Sequence, residues 1–575
     1  MRVVATAGHV DHGKSTLIRA LTGMEPDRWS EERRRGLTID LGFAWTDLSG
    51  TRFAFVDVPG HERFVPNMLA GIGPVPAVVF VVAADEDWMP QSAEHLAALD
   101  ALGVRHGLLA VTKSDRADPA PVMADALGRI ANTTLGEVPA VAVSGTDGDG
   151  LPELRRALVA LASALPEPDT GADVRLWVDR RFTIRGAGVV VTGTLTAGTL
   201  REGDELVLGG GTVRVRGLQA LGESLPEVSA VARVAVNLRG ADKDAISRGD
   251  ALLTPGAWRL TTEIDVRVRG DDSASLHREL VLHLGAAAPA CRVRPLGTDT
   301  ARLALASSLP VRVGDRGLLR DPGEHRIPAG IEVLDVRPPP LRRRGAARAR
   351  AAELAGPPKQ RETFLPVADA RAMGLPESGV RVGEWLVDEQ RWRALPAEAV
   401  AEFGTWRAAH PVEAGMPTDA LARCLGLPDT ALLGEVLSGT GFVRTGGLVR
   451  EPGAALPPAV DRALTELDAE FERAPFQAPT ADRLRELRLG VKEIAAAVRL
   501  GRLTRITGDV VLGPGALERA YRVLAGIGGA FTVSQARQAL GSSRRVVVPL
   551  LERLDAEGRT ERVDPEHRRI VRCEG

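Results

Sequence analysis

Residues 3 to 7 form a short, almost wholly apolar run, followed by a glycine-containing polar stretch and then by Leu17, Ile18, Ala20 and Leu21 at helical spacing. Further apolar runs at 52–58, 108–111 and 138–143 are separated by helix-like segments, a pattern that predicts an α/β domain. From Arg175 the period changes to two. Residues 176–184 and 186–194 read as short alternating strands with glycine turns, and 259–337 keeps the same habit, so two antiparallel β-barrels are predicted. Pro338, Pro339 and Pro340 break that pattern, and Arg342, Arg343 and Arg344 open an alanine-rich helical stretch. Beyond it, three helices and a short hairpin recur roughly every 55 to 60 residues. The hairpins fall at 441–450, 503–512 and 560–572. Three helices closed by a two-stranded wing describe a winged helix. The predicted fold is therefore multidomain: an α/β domain at 1–170, barrels at 171–258 and 259–337, and winged helices at 338–398 with a linker, 399–453, 454–514 and 515–575.

Composition adds limits. A chain of 575 residues implies about three to five domains. With 44% apolar and 26% charged residues it is neither disordered nor fibrous. It has no run of 18 apolar residues, and its opening, MRVVATAGHV, lacks the pattern of a secretory signal. Cys291, Cys424 and Cys573 are too few and too scattered for a metal cluster or a disulfide framework. A cytoplasmic, non-membrane protein is expected. The net charge is -2, so any nucleic-acid surface must be local. Only Lys14, Lys113, Lys243, Lys359 and Lys492 are lysines, and two of these sit in motifs.

The first motif is Gly8-His9-Val10-Asp11-His12-Gly13-Lys14-Ser15-Thr16, a G-x-x-x-x-G-K-[ST] stretch between strand and helix. Its glycines let backbone N–H groups point at phosphate oxygens, and the helix N-terminus adds a favourable dipole. Lys14 then reaches the β- and γ-phosphates, and Ser15 offers its hydroxyl to Mg²⁺. The strand at 52–58 ends in Asp57-Val58-Pro59-Gly60-His61. Asp57 at that place can hold Mg²⁺ through water, and the Gly60 N–H can meet the γ-phosphate. Thr112-Lys113-Ser114-Asp115 follows the next strand. The Asp115 carboxylate can accept from the N1–H and amine of guanine, the Lys113 stem can pack on the ring, and Ser144-Gly145 can add a backbone N–H. GTP is favoured over ATP.

GHVDHGKS, RRRGLTIDLG, DVPGH, TKSD and the serine after the last strand resemble the signature elements of the translation GTPases. GLTIDLGFAW and ATAGHVDHGKSTLIRALTG are more similar to the selenocysteine-specific elongation factors than to elongation factor Tu or initiation factor 2. The resemblance implies a ribosome-stimulated GTPase using GTP/GDP and Mg²⁺. Thr38 becomes a second Mg²⁺ ligand, Val10 and Leu37 an apolar gate beside the attacking water, and His61 the catalytic residue that orients it. In the second domain it implies a selenocysteine pocket formed by Asp179, Arg180 and Arg248. A selenol ionises below a thiol, so a cationic pocket selects it from serine by charge.

The tail follows the same resemblance. In the last unit, 531–537 reads as a supporting helix, Ser542-Ser543 as a cap, and Arg544 and Arg545 as the first turn of a recognition helix. Residues 517–575 carry 11 arginines against 8 acids. Arg537, Arg544 and Arg545 are the candidate RNA contacts. The implied partners are selenocysteinyl-tRNA, the ribosome and an mRNA hairpin, bound by a monomer that delivers its cargo at UGA codons. A general elongation- or initiation-type GTPase and a GTP-switched nucleic-acid-binding regulator remain the alternatives.

Overall fold

The computed structural model describes residues 1–26, 38, 40–73, 75–184, 188–411, 413, 415–452, 456, 458–508 and 510–571. Leu37, residues 185–187, Asp509, Arg572 and Cys573 lie outside the described residues. The chain divides into two compact units, Met1–Ser378 and Gly379–Gly575.

The first unit opens with a six-stranded sheet. Its strands are β1 (Arg2–Ala7), β2 (Gly42–Leu48), β3 (Thr51–Asp57), β4 (Ala77–Ala83), β5 (Gly107–Thr112) and β6 (Ala140–Ala142), in the order β2-β3-β1-β4-β5-β6. Only β2 runs antiparallel, paired with β3. Helices α1 (Lys14–Thr22), α2 (Val65–Ile72), α3 (Pro90–Leu102), α4 (Ala120–Ala131) and α5 (Leu151–Ala164) complete this domain. Successive side chains of a strand point to opposite faces. Val3, Ala5, Val78 and Phe80 accordingly join a core with Leu99, while Val4, Phe55 and Val79 join another with Leu17 and Leu158. Burial on both faces is why these strands read as unbroken apolar runs.

The predicted strand at 176–184 is two strands, Arg175–Trp177 and Arg180–Ile184, at opposite ends of one sheet. The break has a visible cause. Val178 N–H donates to Asp250 O at 2.8 Å, whereas Asp179 N–H donates to Thr192 O at 3.0 Å, so the backbone changes partner strand there. The second barrel is closed: six strands between Leu260 and Asp335 form a continuous ring. It packs on α3, where a Cβ on Gly330 would stand 2.4 Å from Ala101 O. Only a glycine permits that approach.

The boundary expected at residue 338 is not a packing boundary. Helix Ala346–Leu354 lies on the barrel: Leu354 joins Leu296 and Leu334, and Arg350 donates to the fully buried Asp265 at 2.8 Å. Arg302 holds the same carboxylate at 2.7 Å and 3.1 Å. The repeat pattern also fails once. Between helix Val367–Met373 and strand Val380–Val382, residues 374–379 form no helix, so the first repeat lacks its third helix.

In the second unit, three-stranded sheets close the repeats at 416–450 and 530–570, and a hairpin closes 504–512. The last two repeats share one core, which runs from Leu464 and Phe471 through Val511 to Phe531, Leu550 and Leu551. No helix among the described residues is long and apolar enough to cross a membrane.

Candidate functional site

The loop between β1 and α1 turns on two glycines. Gly8 has φ +134° and Gly13 φ +80°, and a Cβ on Gly8 would lie 2.1 Å from Val81 O. Asp11, exposed at the loop's tip, also has positive φ, and Val10 is half-buried beside it. Lys14 is buried and folds back over the loop, donating to Gly8 O at 2.9 Å and His9 O at 2.7 Å. Its ammonium therefore stands inside the cradle, where a phosphate oxygen would replace those carbonyls. Gly60 closes the other side. A Cβ there would stand 2.4 Å from Val10 N and 2.5 Å from Lys14 Nζ.

Three oxygen donors meet at the start of α1. Ser15 Oγ donates to Asp57 Oδ2 at 2.6 Å and lies 3.1 Å from Thr38 Oγ1. Thr6 Oγ1 donates to the other oxygen, Asp57 Oδ1, at 2.7 Å and accepts from Val58 N–H at 3.1 Å. Complete burial pushes the Asp57 carboxyl above its ordinary range, opposed by Lys14, Ser15 and Thr6. Two hydroxyls and a buried carboxylate form a hard donor set of the kind that suits Mg²⁺. His61 begins the turn before α2, and its Nδ1 accepts from Arg63 N–H at 3.2 Å. When this imidazole is neutral, Nε2 carries the proton.

The residues expected to read the base collect at the ends of β5 and β6. Lys113, in a left-handed conformation, pairs with Glu86 at 2.8 Å and Asp85 at 2.9 Å. Partial burial works against its charge, but the two carboxylates hold its pKa above the ordinary value. Asp115 is exposed next to it. Ser144 is buried, and its N–H donates to Asp149 O at 2.9 Å, so the N–H offered to a base falls to Gly145. A Cβ on Gly145 would lie 3.1 Å from Thr16 Cγ2, which places that turn against α1.

Two further contributors escape a motif reading. His95 of α3 is buried, and its Nδ1 accepts from Gly8 N–H at 2.9 Å, fixing the first peptide of the loop. Burial, then Lys14, His9 and His12, hold His95 well below the usual imidazole range. Glu86 lies 3.4 Å from His12 Nε2. Burial pushes His12 down to about 4 despite that carboxylate. The His9 and His12 rings meet edge to face at 5.0 Å. The E-H pair in α3 is the available signal, but one histidine on an apolar helix face carries no motif.

The barrel pocket differs from expectation. Buried Asp179 is paired with Arg233, which holds both its oxygens, one at 2.7 Å, while Thr192 Oγ1 donates at 2.8 Å. Arg180 turns instead to the segment before β2. Its Nε stands 3.0 Å from Asp40 Oδ2, and its Nη2 donates to Leu41 O. The Phe43 ring underlies both arginines, 4.8 Å from Arg180 and 4.1 Å from Arg233. Arg248 goes elsewhere and donates to Asn67 Oδ1 of α2 at 2.5 Å. The structure thus sets Arg180 and the Asp179-bound Arg233 over Phe43, and directs Arg248 to the α/β domain.

In the tail, Arg544 and Arg545 are exposed on the first turn of helix Arg544–Ala556, and Arg537 is exposed near the end of helix Val533–Ala539. Ser543 holds the N-cap position without a side-chain cap bond, and Ser542 turns inward to donate to Phe476 O. Of the two serines expected as a cap, Ser543 takes the position and Ser542 anchors the segment to the preceding repeat.

Four family models match the chain. These are the elongation factor Tu GTP binding domain over 1–164, elongation factor Tu domain 2 over 188–253, the selenocysteine-specific elongation factor beta-barrel domain over 261–340, and the elongation factor SelB winged helix over 522–570. The selenocysteine-specific elongation factor of Escherichia coli is 39% identical over 348 residues, covering 59% of this chain and 56% of that protein. The match thus spans about half the length of that curated relative. Elongation factor Tu 2 of Streptomyces avermitilis is 35% identical over 292 residues, covering 46% of this chain and 75% of that one. A solved bacterial selenocysteine-specific elongation factor EF-Sec superposes over 100% of both chains with a TM-score of 0.71 at 25% identity.

Proposed function

The chain belongs to the elongation factor Tu family of translation GTPases, and we propose that it serves that family's selenocysteine-specific branch, carrying selenocysteinyl-tRNA to the ribosome at UGA codons. One observation carries the reading: the second barrel and the terminal winged helix both match domains of selenocysteine factors. The protein works in the cytoplasm, as a monomer, with its tail bound to an mRNA hairpin. Such a tether raises the carrier's effective concentration at one codon without tightening either site.

The α/β domain binds GTP and hydrolyses it to GDP and phosphate. Lys14 gives up Gly8 O and His9 O for the β- and γ-phosphate oxygens, and Gly60 N–H meets the γ-phosphate. Ser15 and Thr38, with Asp57 through water, would hold Mg²⁺, which would supply positive charge to neutralise the phosphates. Asp115 reads the N1–H and amine of guanine, and Gly145 N–H its oxygen. Val10 stands on one side of the attacking water. Arg63 N–H on Nδ1 leaves His61 with its proton on Nε2, so the ring orients water by donating, and the ribosome supplies the remaining alignment. In the first barrel, Arg180 provides the positive charge that a selenolate seeks, and the mutually neutralised Arg233–Asp179 pair lines the pocket beside it. Arg248 acts as a contact between barrel and α/β domain. Arg537, Arg544 and Arg545 bind the hairpin.

Competition binding with GTP present tests the reading. Selenocysteinyl-tRNA should displace seryl-tRNA and other aminoacyl-tRNAs. Equal affinity across the charged tRNAs would leave a general elongation factor with an added tail.

A further inference from the structure

Two guanidinium groups stand over the Phe43 ring, each paired with a carboxylate: Arg233 with Asp179, and Arg180 with Asp40. The pairs are not equivalent. Asp179 is buried in the barrel, bound through both oxygens and by Thr192. Asp40 is half-buried, approaches Arg180 through one oxygen, and accepts from Leu41 N–H through the other at 2.8 Å. A two-pronged buried pair is much harder to separate than a one-pronged, partly solvated one.

We infer that Asp40 is an internal counter-ion that occupies Arg180 and competes with the anionic group of the cargo. This inference rests on the selenocysteine reading of the protein's function. An Arg180–Asp40 pair carries no net charge and offers little attraction to a selenolate. For Arg180 to select an anion, the carboxylate must yield. Asp40 comes from the α/β domain while Arg180 comes from the barrel, so the pair spans the junction that the cargo would enter. Asp40 also stands two residues after Thr38, whose hydroxyl lies 3.1 Å from Ser15 Oγ. The counter-ion is thus carried beside a residue of the proposed metal site. Asp40 acts on cargo through Arg180, as a specificity-setting and positioning residue.

The alternative role for Asp40 predicts the opposite sign. If Asp40 merely holds Arg180 in a binding-competent pose, its removal weakens cargo binding. If it competes, removal strengthens binding of the ionised cargo alone. Full-length wild-type, Asp40→Asn, Asp40→Ala and Asp40→Glu proteins, each with a GTP analogue, are titrated with selenocysteinyl-tRNA and seryl-tRNA at pH 7.

Asp40→Asn and Asp40→Ala should bind selenocysteinyl-tRNA about ten-fold tighter, as expected for uncovering one charge at a partly solvated site. Seryl-tRNA affinity should stay within about two-fold, and Asp40→Glu should behave as wild type. Equal gains for both tRNAs, no change, or weaker selenocysteinyl-tRNA binding would overturn the counter-ion role. A wild-type protein with no preference between the tRNAs would instead overturn the selenocysteine reading itself, so the two failures are told apart in one data set.

Discussion

Arg233 holds both carboxylate oxygens of Asp179 from 54 residues away along the chain, across the strand Gly188–Leu195 of the first barrel, which lies between them. Removing one partner of a buried ion pair leaves the other charge without compensation, at a cost of about 3–5 kcal/mol. Arg233→Ala should therefore lower the unfolding free energy of the barrel by that order, measured by urea denaturation. Arg180→Ala breaks a partly exposed pair and should cost no more than about 1 kcal/mol. Similar losses for the two variants would contradict the asymmetry between the two pairs.

Gly60 lies directly beneath Lys14, and no other residue type fits there. A methyl group would meet the ammonium at 2.5 Å and the Val10 backbone at 2.4 Å. The ammonium can move aside, but the loop backbone cannot without opening the cradle. Gly60→Ala should weaken GTP binding at least about ten-fold, with a smaller effect on GDP, which has no γ-phosphate to seat against residue 60. Fluorescent-nucleotide titration with each nucleotide measures the two effects separately.

The parts legible in the sequence are those written contiguously. Gly8, Gly13 and Lys14 encode a loop whose geometry follows from local backbone freedom, and Asp57 and Asp115 stand at strand ends that apolar runs announce. Arg233 carries no such signal. It is one of many arginines, and its pairing with Asp179 depends on strand register, which sets Arg233 opposite Thr194 while Thr192 accepts the Asp179 N–H. Resemblance alone assigns Arg248 to the pocket, and only the packed junction shows it reaching Asn67. His95 contributes through a single hydrogen bond between elements 87 residues apart. The missing third helix of the first repeat is hidden because a regular repeat length does not require every copy to fill it alike.

Burial sets a pH dependence. His12 in the phosphate loop and His283 in the second barrel are both pushed down to about 4, His283 by desolvation first and then by Arg320 and Arg248. In the unfolded chain each takes its proton near 6.5. Between those values the unfolded state binds more protons, so stability is complete above about pH 6.5, falls on acidification, and levels off below about 4. The slope approaches 1.4 kcal/mol per pH unit for each histidine. Replacing His283 with Asn should shallow the fall seen in denaturant unfolding from pH 7 to 5; an unchanged slope would mean that this ring titrates normally in the fold.

The shared core of the last two repeats predicts where the tail can be cut. Phe531, Leu550 and Leu551 belong to the same buried cluster as Leu464, Phe471 and Val511, and Ser542 donates to Phe476 O. A fragment of 515–575 exposes much of that apolar surface and should be unfolded or aggregate at 25 °C. A fragment of 456–575 should unfold cooperatively. Circular dichroism melts of the two fragments decide it.

Arg544 and Arg545 occupy the exposed first turn of the last long helix, where a positive charge meets the N-terminal end of the helix dipole. That position is unfavourable for the helix itself, since anions rather than cations are stabilised there. An RNA phosphate would offset the conflict by neutralising both the arginine and the helix end. Arg544→Ala with Arg545→Ala should therefore leave thermal stability equal or slightly higher while weakening hairpin RNA binding. For every phosphate that the variant no longer neutralises, the slope of log affinity against log salt should fall by about 0.7 to 0.9. Titrations of an mRNA stem-loop over a range of salt concentrations give that slope directly. A weakened affinity with an unchanged slope would mean that the two arginines act through folding of the helix, and unchanged affinity would place the RNA surface elsewhere on the tail.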